Sequence, residues 1–288
     1  MVDQVLPQPR PAFGFSFWPK PKPFDLKRQP GFGVVAIACL VMLYAPIVIL
    51  VVFSFNASRS VTRWSSFSLN WYAAALGDGA IHDAAQNSLM ISLVATIVST
   101  VLATAAALAT TRSRPWPGMM AAYMLINLPF MVPEIVTAVA TLSFFALLAA
   151  QFDINFGIGN LMIAHTVFCI PFAYMPIRAR LEDMDLTLEQ AAADLYAPPW
   201  QTFRRITLPL LMPGITAGAT LALIVSFDDF TITQLVAGPG QTTLPLYIWG
   251  TLEKVGVTPE VNAISAMLVV ISILFVSLSF LIASKRKS

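Results

Sequence analysis

Six apolar stretches, each about the length a helix needs to cross a membrane, dominate the chain. They lie near 32–55, 86–110, 119–150, 158–177, 209–236 and 262–284. At 1.5 Å per residue, about 20 residues span the hydrocarbon core. Charged residues are only 11% of the 288, whereas soluble domains carry about 25%. So few charges cannot cover a water-facing surface, and most of the chain must face lipid or other helices. The pattern predicts an all-α integral membrane protein with six transmembrane helices spanning 31–288. Pro129 and Pro133 each remove a backbone donor and predict a kink in the third span.

Residues 1–30 are rich in proline and basic residues and poor in aliphatics, which predicts a disordered cytoplasmic tail. A long polar tail before an apolar run longer than a signal core predicts that the first span is retained as an anchor. Orientation follows from lysine and arginine placement. The tail, the 2–3 loop (Arg112, Arg114), the 4–5 loop (Arg178, Arg180, Arg204, Arg205) and the C-terminus (Lys285, Arg286, Lys287) hold fourteen positive residues. The other side receives Arg59, Arg63 and Lys254. Six spans with both termini cytoplasmic fit this split, and one span more or fewer would mix the two sets.

Several functions have no support in the composition. A net charge of +2 with scattered basic residues argues against nucleic-acid binding. Cys39 and Cys169 sit in apolar runs as small hydrophobes, and no cysteine–histidine spacing suggests a metal site. His82 and His165 read as loop or packing residues. HExxH, GxSxG and paired catalytic histidines are absent, so no intramembrane enzyme is expected.

The longest charged segment between spans is RARLEDMDLTLEQAAADLYAPPWQTFRRITL, at 178–208. Thr187 and Gln190 fit a capping box at the start of a short helix running through Ala191, Ala192 and Ala193. Pro198 and Pro199 should end it. Trp200 to Ile206 predicts a second helix with Arg204 and Arg205 at its C-terminal end, where cations suit the dipole. An amphipathic surface helix would share these features.

This loop resembles the signature loop of binding-protein-dependent ABC importer permeases: Glu-Ala-Ala, three residues, Gly, nine residues, then Ile-x-Leu-Pro. Ile206, Leu208 and Pro209 are in place, and Ala191 and Ala192 are the alanine pair. Two positions depart. Gln190 replaces the glutamate, with Glu189 adjacent, and Tyr196 replaces the glycine. A glycine ending a short helix often takes positive φ, which tyrosine adopts only at a cost. Either the turn differs here or the chain is strained. The resemblance covers nearly the whole chain after the tail and is nearest to the spermidine/putrescine-type permeases. LYAPIVILVVFSFNAS, NLPFMVPEIVTAV, SFDDFTITQLVAGPGQTTLP and GVTPEVNAIS carry it.

The resemblance implies a type I ABC importer transmembrane domain whose loop is a coupling helix seated on a separate ATPase. The ATPase-coupling residues would be Glu189, Gln190, Ala191, Ala192, Asp194, Leu195, Tyr196 and Ala197. No cofactor is expected in this chain. It has no GxxxxGK[ST] loop, so ATP and Mg would be bound by the partner ATPase. The implied partners are a second permease, expected to be a different chain, two ATPase subunits, an external substrate-binding protein and membrane lipid. The location would be the bacterial inner membrane.

Three carboxylates fall inside spans: Glu134, Asp228 and Asp229. Each costs about 2.5–3.5 kcal/mol near the bilayer centre, so each should face a polar interior. In a continuous helix neighbours differ by about 100°. Asp229 then shares a stripe with Ser226 and Thr233 and is expected to face the pore, leaving Asp228 as an interhelical or partner contact. Both lie roughly 28 Å along the helix from Pro209. Alternatively, all three could be solvated at span ends or bonded to Ser or Thr. The loop 237–245, with Gly238, Pro239 and Gly240, predicts a tight external turn. The reading is import of a polyamine or similar cationic solute, with these carboxylates as weak counter-charges. Import of another solute such as 4-aminobutyrate is the nearest alternative. An ion-coupled secondary transporter would also explain the carboxylates, but not the ITLP loop, and no inverted repeat is visible.

Overall fold

The computed structural model describes residues 32–285, with side chains through residue 277. The tail expected at 1–30 lies outside the described residues. Helix α1 (Phe32–Phe53), with Pro46 inside it, is apolar throughout and buries none of its residues. The remaining elements are α2 (Asn70–Gly77), α3 (Gly79–Thr111), α4 (Met119–Met131), α5 (Glu134–Phe152), α6 (Ile158–Glu182), α7 (Thr187–Asp194), α8 (Pro199–Thr202), α9 (Leu208–Asp228), α10 (Thr231–Val236), α11 (Leu244–Val255) and α12 (Pro259–Lys285). Among the described residues, six helical segments are long and apolar enough to cross a membrane: α1, α3, α5, α6, the continuous helix Pro199–Asp228, and α12.

Two expected spans are broken, and the reasons differ. The third stretch divides at Val132 and Pro133 into α4 and α5, because Pro133 takes extended backbone (φ −54°, ψ 136°) instead of a kinked helix. The spanning segment is α5, and α4 is too short to cross. The fifth stretch stops at Asp228, where Asp229 becomes extended (ψ 130°) before α10 starts. The second span begins at Gly79 rather than 86, capped by the Asp78 carboxylate accepting from the Ala80 N–H at 2.8 Å.

Within the unit from Val48 onward, helices α3, α6 and α9 pack against one another and form its centre. In lipid, helix association rests on close packing rather than on apolar burial, so small residues belong at the seam. Along α3, Ala84, Ser88, Ser92, Ala95, Ser99, Ala103 and Ala107 recur every three or four positions and are all buried. On α9, a Cβ added at Gly218 would stand 2.6 Å from the Ala173 carbonyl oxygen of α6. Backbone cannot yield as a side-chain end can. Gly218→Leu is therefore expected to part α6 from α9, costing at least the ~1–3 kcal/mol of ordinary overpacking. Membrane accumulation should fall severalfold, and wild-type levels on a quantitative immunoblot would contradict this packing.

Candidate functional site

The 178–208 loop forms two arms. α6 ends at Glu182, and the Asp185 carboxylate accepts the Thr187 N–H at 2.9 Å. That bond holds the exposed Asp185 carboxyl below its ordinary pKa. The expected capping box does not form. Thr187 is already the first helical residue, and its predecessor Leu186 caps without a side-chain bond. Asp185 meets a backbone donor in its place.

At the other end of α7 the Tyr196 N–H donates to the Ala193 carbonyl (2.9 Å) and the Ala197 N–H to the Ala192 carbonyl (3.0 Å). This pair of bonds is a Schellman closure, which places its C′ residue in the left-handed region. That residue is Tyr196, with φ +56°. Of the two outcomes posed by the missing glycine, the strained one holds: the turn is kept and tyrosine bears it. The Tyr196 side chain is 95% exposed and Leu195 is 82% exposed.

The proposed coupling residues divide by face. Gln190, Ala191, Asp194, Leu195 and Tyr196 are exposed, Ala192 is buried and Ala197 is half-buried. Glu189 turns inward. Its carboxylate accepts the Thr207 hydroxyl at 2.8 Å and lies 3.4 Å from the Arg112 Nε at the end of α3. The adjacent glutamate therefore braces the loop against the bundle.

The second arm does not end at Ile206. Residues 203–207 form one π-helical turn, closed by the Leu208 N–H on the Phe203 carbonyl, and run without interruption into α9. Arg204 and Arg205 thus lie inside a continuous helix rather than at a terminus. Pro209 supplies the reason. In an α-helix it could not donate to residue 205, and its ring would clash there. A wide turn just before it absorbs the misfit.

A second polar assembly surrounds the break after α9. The Asp229 carboxylate accepts N–H bonds from Ile232 (3.4 Å) and Thr233 (3.1 Å) and the Thr233 hydroxyl (3.2 Å), so it caps α10. His165 of α6 closes the group. Its Nδ1 lies 2.9 Å from the Ser226 Oγ, and its Nε2 lies 3.1 Å from the Thr233 Oγ1 and 3.4 Å from the Asp229 Oδ2. A carboxylate only accepts, so the neutral ring presents Nε2–H to Asp229 and Thr233, and Nδ1 accepts from Ser226. All four side chains are buried.

Sequence spacing brought Ser226, Asp229 and Thr233 together correctly, but for a continuous helix that is absent. Asp229 does not face an open pore within this chain. It is 6% exposed and its oxygens are engaged. Glu134, half-buried at the start of α5, neighbours Asp229 and Thr231 and is the least buried acidic member of the cluster. Asp228 points elsewhere, is exposed, and accepts the Ser272 hydroxyl at 3.4 Å. Ser272 belongs to α12, so this bond runs between helices. His165 is neither a loop residue nor a mere packing residue; an ionisable side chain inside an apolar span is the sequence signal for such polar partners.

The 237–245 loop makes its turn. The Gln241 N–H donates to the Gly238 carbonyl at 3.1 Å, and Gly240 takes φ +78°. Asn87 Nδ2 donates to the Gly240 and Thr242 carbonyls, and the Leu244 N–H donates to the Ser88 Oγ at 2.8 Å. The loop is thereby tied to the first turns of α3.

Known proteins share this organisation. Residues 99–285 match the family described as "binding-protein-dependent transport system inner membrane component". The chain is 34% identical over 243 residues to the putrescine transport system permease protein PotI of Escherichia coli, covering 84% of this chain and 86% of the relative. It is 37% identical over 244 residues to the spermidine/putrescine transport system permease protein PotC of Escherichia coli, covering 85% and 90%. A permease chain in the crystal structure of the bacterial alginate ABC transporter, bound to an alginate-loaded periplasmic protein, superposes with a TM-score of 0.68 at 17% identity, over 85% of this chain and 90% of that one. The fold is that of a type I importer permease, and the six apolar helices place the chain in the bacterial inner membrane. By the family match and by its identity to these relatives over most of its length, the chain belongs to the binding-protein-dependent inner membrane components and is a permease subunit of an ABC importer.

Proposed function

We propose that the chain forms half of the translocation pathway for a polyamine, putrescine or spermidine, or a similar small organic cation. The observation that carries this is the acidic set on its spans. Glu134, Asp228 and Asp229 lie at helix breaks, and Ser226, Thr233 and His165 shape the cluster around Asp229. Identity of 34–37% to permeases named for putrescine and spermidine supports the same reading. Glu134 offers a passing ammonium group a counter-charge. Asp229 acts behind it, its carboxylate tied into the capping of α10 and its negative potential added to that of Glu134. Weak, repeated sites suit conduction because the solute must leave each one.

The rest of the machine lies on other chains. Both termini and the α7–α8 loop are cytoplasmic under the charge rule. There the exposed face of Gln190, Ala191, Asp194, Leu195 and Tyr196 engages one of two ATPase subunits, which bind ATP and Mg. Glu189 passes the motion to α3 and to the π turn before α9. A second, non-identical permease completes the pathway, and an external binding protein delivers the solute at the 237–245 loop. The alginate transporter crystallised with its periplasmic protein supports that last partner.

The test is uptake of labelled putrescine by the reconstituted complex, with ATPase activity followed in parallel. ATP-dependent uptake is expected, and Glu134→Gln should lower it about tenfold while ATP hydrolysis continues. If Glu134→Gln and Asp229→Asn both leave uptake kinetics unchanged, the cluster is not on the pathway. Uptake of 4-aminobutyrate without putrescine would reassign the solute.

A further inference from the structure

A cavity of about 580 Å³ opens where the ends of α3 and α6 meet the start of α4. Arg178 of α6 supplies its charge, and Thr110, Trp116, Met119, Met120 and Tyr123 line the rest. Among the described residues, no aspartate or glutamate lines it. The guanidinium is held in place. Its carbon stands 4.4 Å from the centroid of the Tyr123 ring. Its Nη1 lies 3.5 Å from the Tyr174 hydroxyl, which in turn sits 2.8 Å from the Thr110 Oγ1. Glu182, one turn on, accepts from Nε at 2.7 Å. Nη2 has no hydrogen-bond partner among the described residues, so its two hydrogens are left for another acceptor.

Glu182 answers this charge only in part. The pair is solvent-facing and four residues apart on one helix, an arrangement that contributes little, and Glu182 stands outside the cavity lining. A planar fork fixed by its neighbours suits the oxygens of a phosphate. The start of α4 adds potential of the same sign. Gly118 precedes it and has no side chain to cap it, so the first-turn N–H groups stand open at the cavity rim. The rest of the lining is too apolar for a free ion. Trp116 and Tyr123 are partly exposed, and such rings gather at headgroup depth in a bilayer. Met119 and Met120 offer apolar surface directly beside the charge, as a molecule with a headgroup and acyl chains requires. No lining carboxylate would receive the amine of a zwitterionic headgroup, which favours a headgroup of net negative charge.

We propose that Arg178, Trp116 and Tyr123 form a binding site for the phosphodiester headgroup of an anionic phospholipid. Arg178 Nη2 takes the phosphate oxygens, Trp116 and Tyr123 flank the glycerol region, and the acyl chains lie along Met119 and Met120. In the orientation proposed above this is the cytoplasmic leaflet, where basic pockets between spans hold anionic headgroups. The lipid then sits beside the 178–208 loop, between the ends of the spans that this loop and the 2–3 loop join.

The test titrates the whole purified complex in detergent with phosphatidylglycerol and counts bound lipids by native mass spectrometry. No solute is present, so the outcome is independent of what the permease carries. At the concentration that fills the site in wild type, Arg178→Gln should lose one phosphatidylglycerol per copy of this chain, its affinity weakened about tenfold. Met120→Glu should do the same by placing a like charge at the rim. Met120 is 66% exposed and a glutamate suits the first turn of a helix, so the fold is kept. Met120→Gln should retain the lipid. Phosphatidylcholine should compete at least about tenfold less well than phosphatidylglycerol, and millimolar inorganic phosphate should displace neither. Wild-type occupancy in both Arg178→Gln and Met120→Glu would overturn the site. If Arg178→Gln does not assemble, the Met120 pair decides alone, and equal occupancy in its Glu and Gln variants overturns it. Equal competition by phosphatidylcholine overturns the anionic assignment. Displacement by inorganic phosphate overturns the lipid in favour of the free ion.

Discussion

His165→Leu is expected to destabilise the assembled permease by about 2 kcal/mol, in the lower part of what leaving a buried charged group short of a hydrogen-bond partner costs. The lost hydrogen bonds alone would not do this. Interhelical hydrogen bonds in membrane proteins average about 0.6 kcal/mol and reach about 1.7. The larger effect is what remains behind. Asp229 keeps the Ile232 and Thr233 N–H groups and the Thr233 hydroxyl but loses the imidazole, and Ser226 loses its acceptor. Those surviving donors are why the estimate sits at the low end. Asp229→Asn should be far milder. An asparagine oxygen still caps α10, and the imidazole can change tautomer to accept from the new amide. Thermal unfolding of the purified complex checks both. A shift on the order of 5 °C is expected for His165→Leu, and only a small one for Asp229→Asn. Equal midpoints for His165→Leu and wild type would mean that α6 is held to the α9–α10 break by packing alone.

That contrast also shows where the residues spoke for themselves. Spanning lengths and the lysine–arginine split determine six membrane helices because both follow from the cost of placing charge in lipid. The break at Pro133 was half legible, since a proline that could have kinked a helix ended it instead. The break at Asp229 carries no glycine or proline. Its only local sign is an acidic residue followed by helix donors three and four positions on, the pattern of an N-cap inside an apolar run. Length favoured one unbroken helix, and the side-chain cap prevailed. His165 illustrates the complementary limit. Its partners lie 61 and 68 positions away, and no periodicity within one span connects them. In the loop, spacing placed a short helix but did not separate its faces or show the inward turn of Glu189, because Arg112 comes from a distant helix end.

Tyr196→Gly should stabilise the loop slightly and weaken ATPase docking strongly. The left-handed conformation costs a non-glycine residue about 1–2 kcal/mol, and glycine returns about 0.5–1 of that gain through its greater freedom when unfolded. The turn therefore becomes steadier by about 1.5 kcal/mol at most. Against this stands the loss of a side chain that is 95% exposed at the end of α7, beside the exposed Leu195. An aromatic anchor in an interface is worth about 2 kcal/mol or more when removed, roughly a thirtyfold change in affinity. The binding loss exceeds the gain in the turn. Tyr196→Phe separates the two effects, since it keeps both ring and strain. Affinity of the partner ATPase for the permease in nanodiscs should fall about thirtyfold for the glycine variant and change little for phenylalanine. If the glycine variant binds as tightly as wild type, the strained tyrosine is not the contact, and docking rests on Gln190, Ala191 and Asp194.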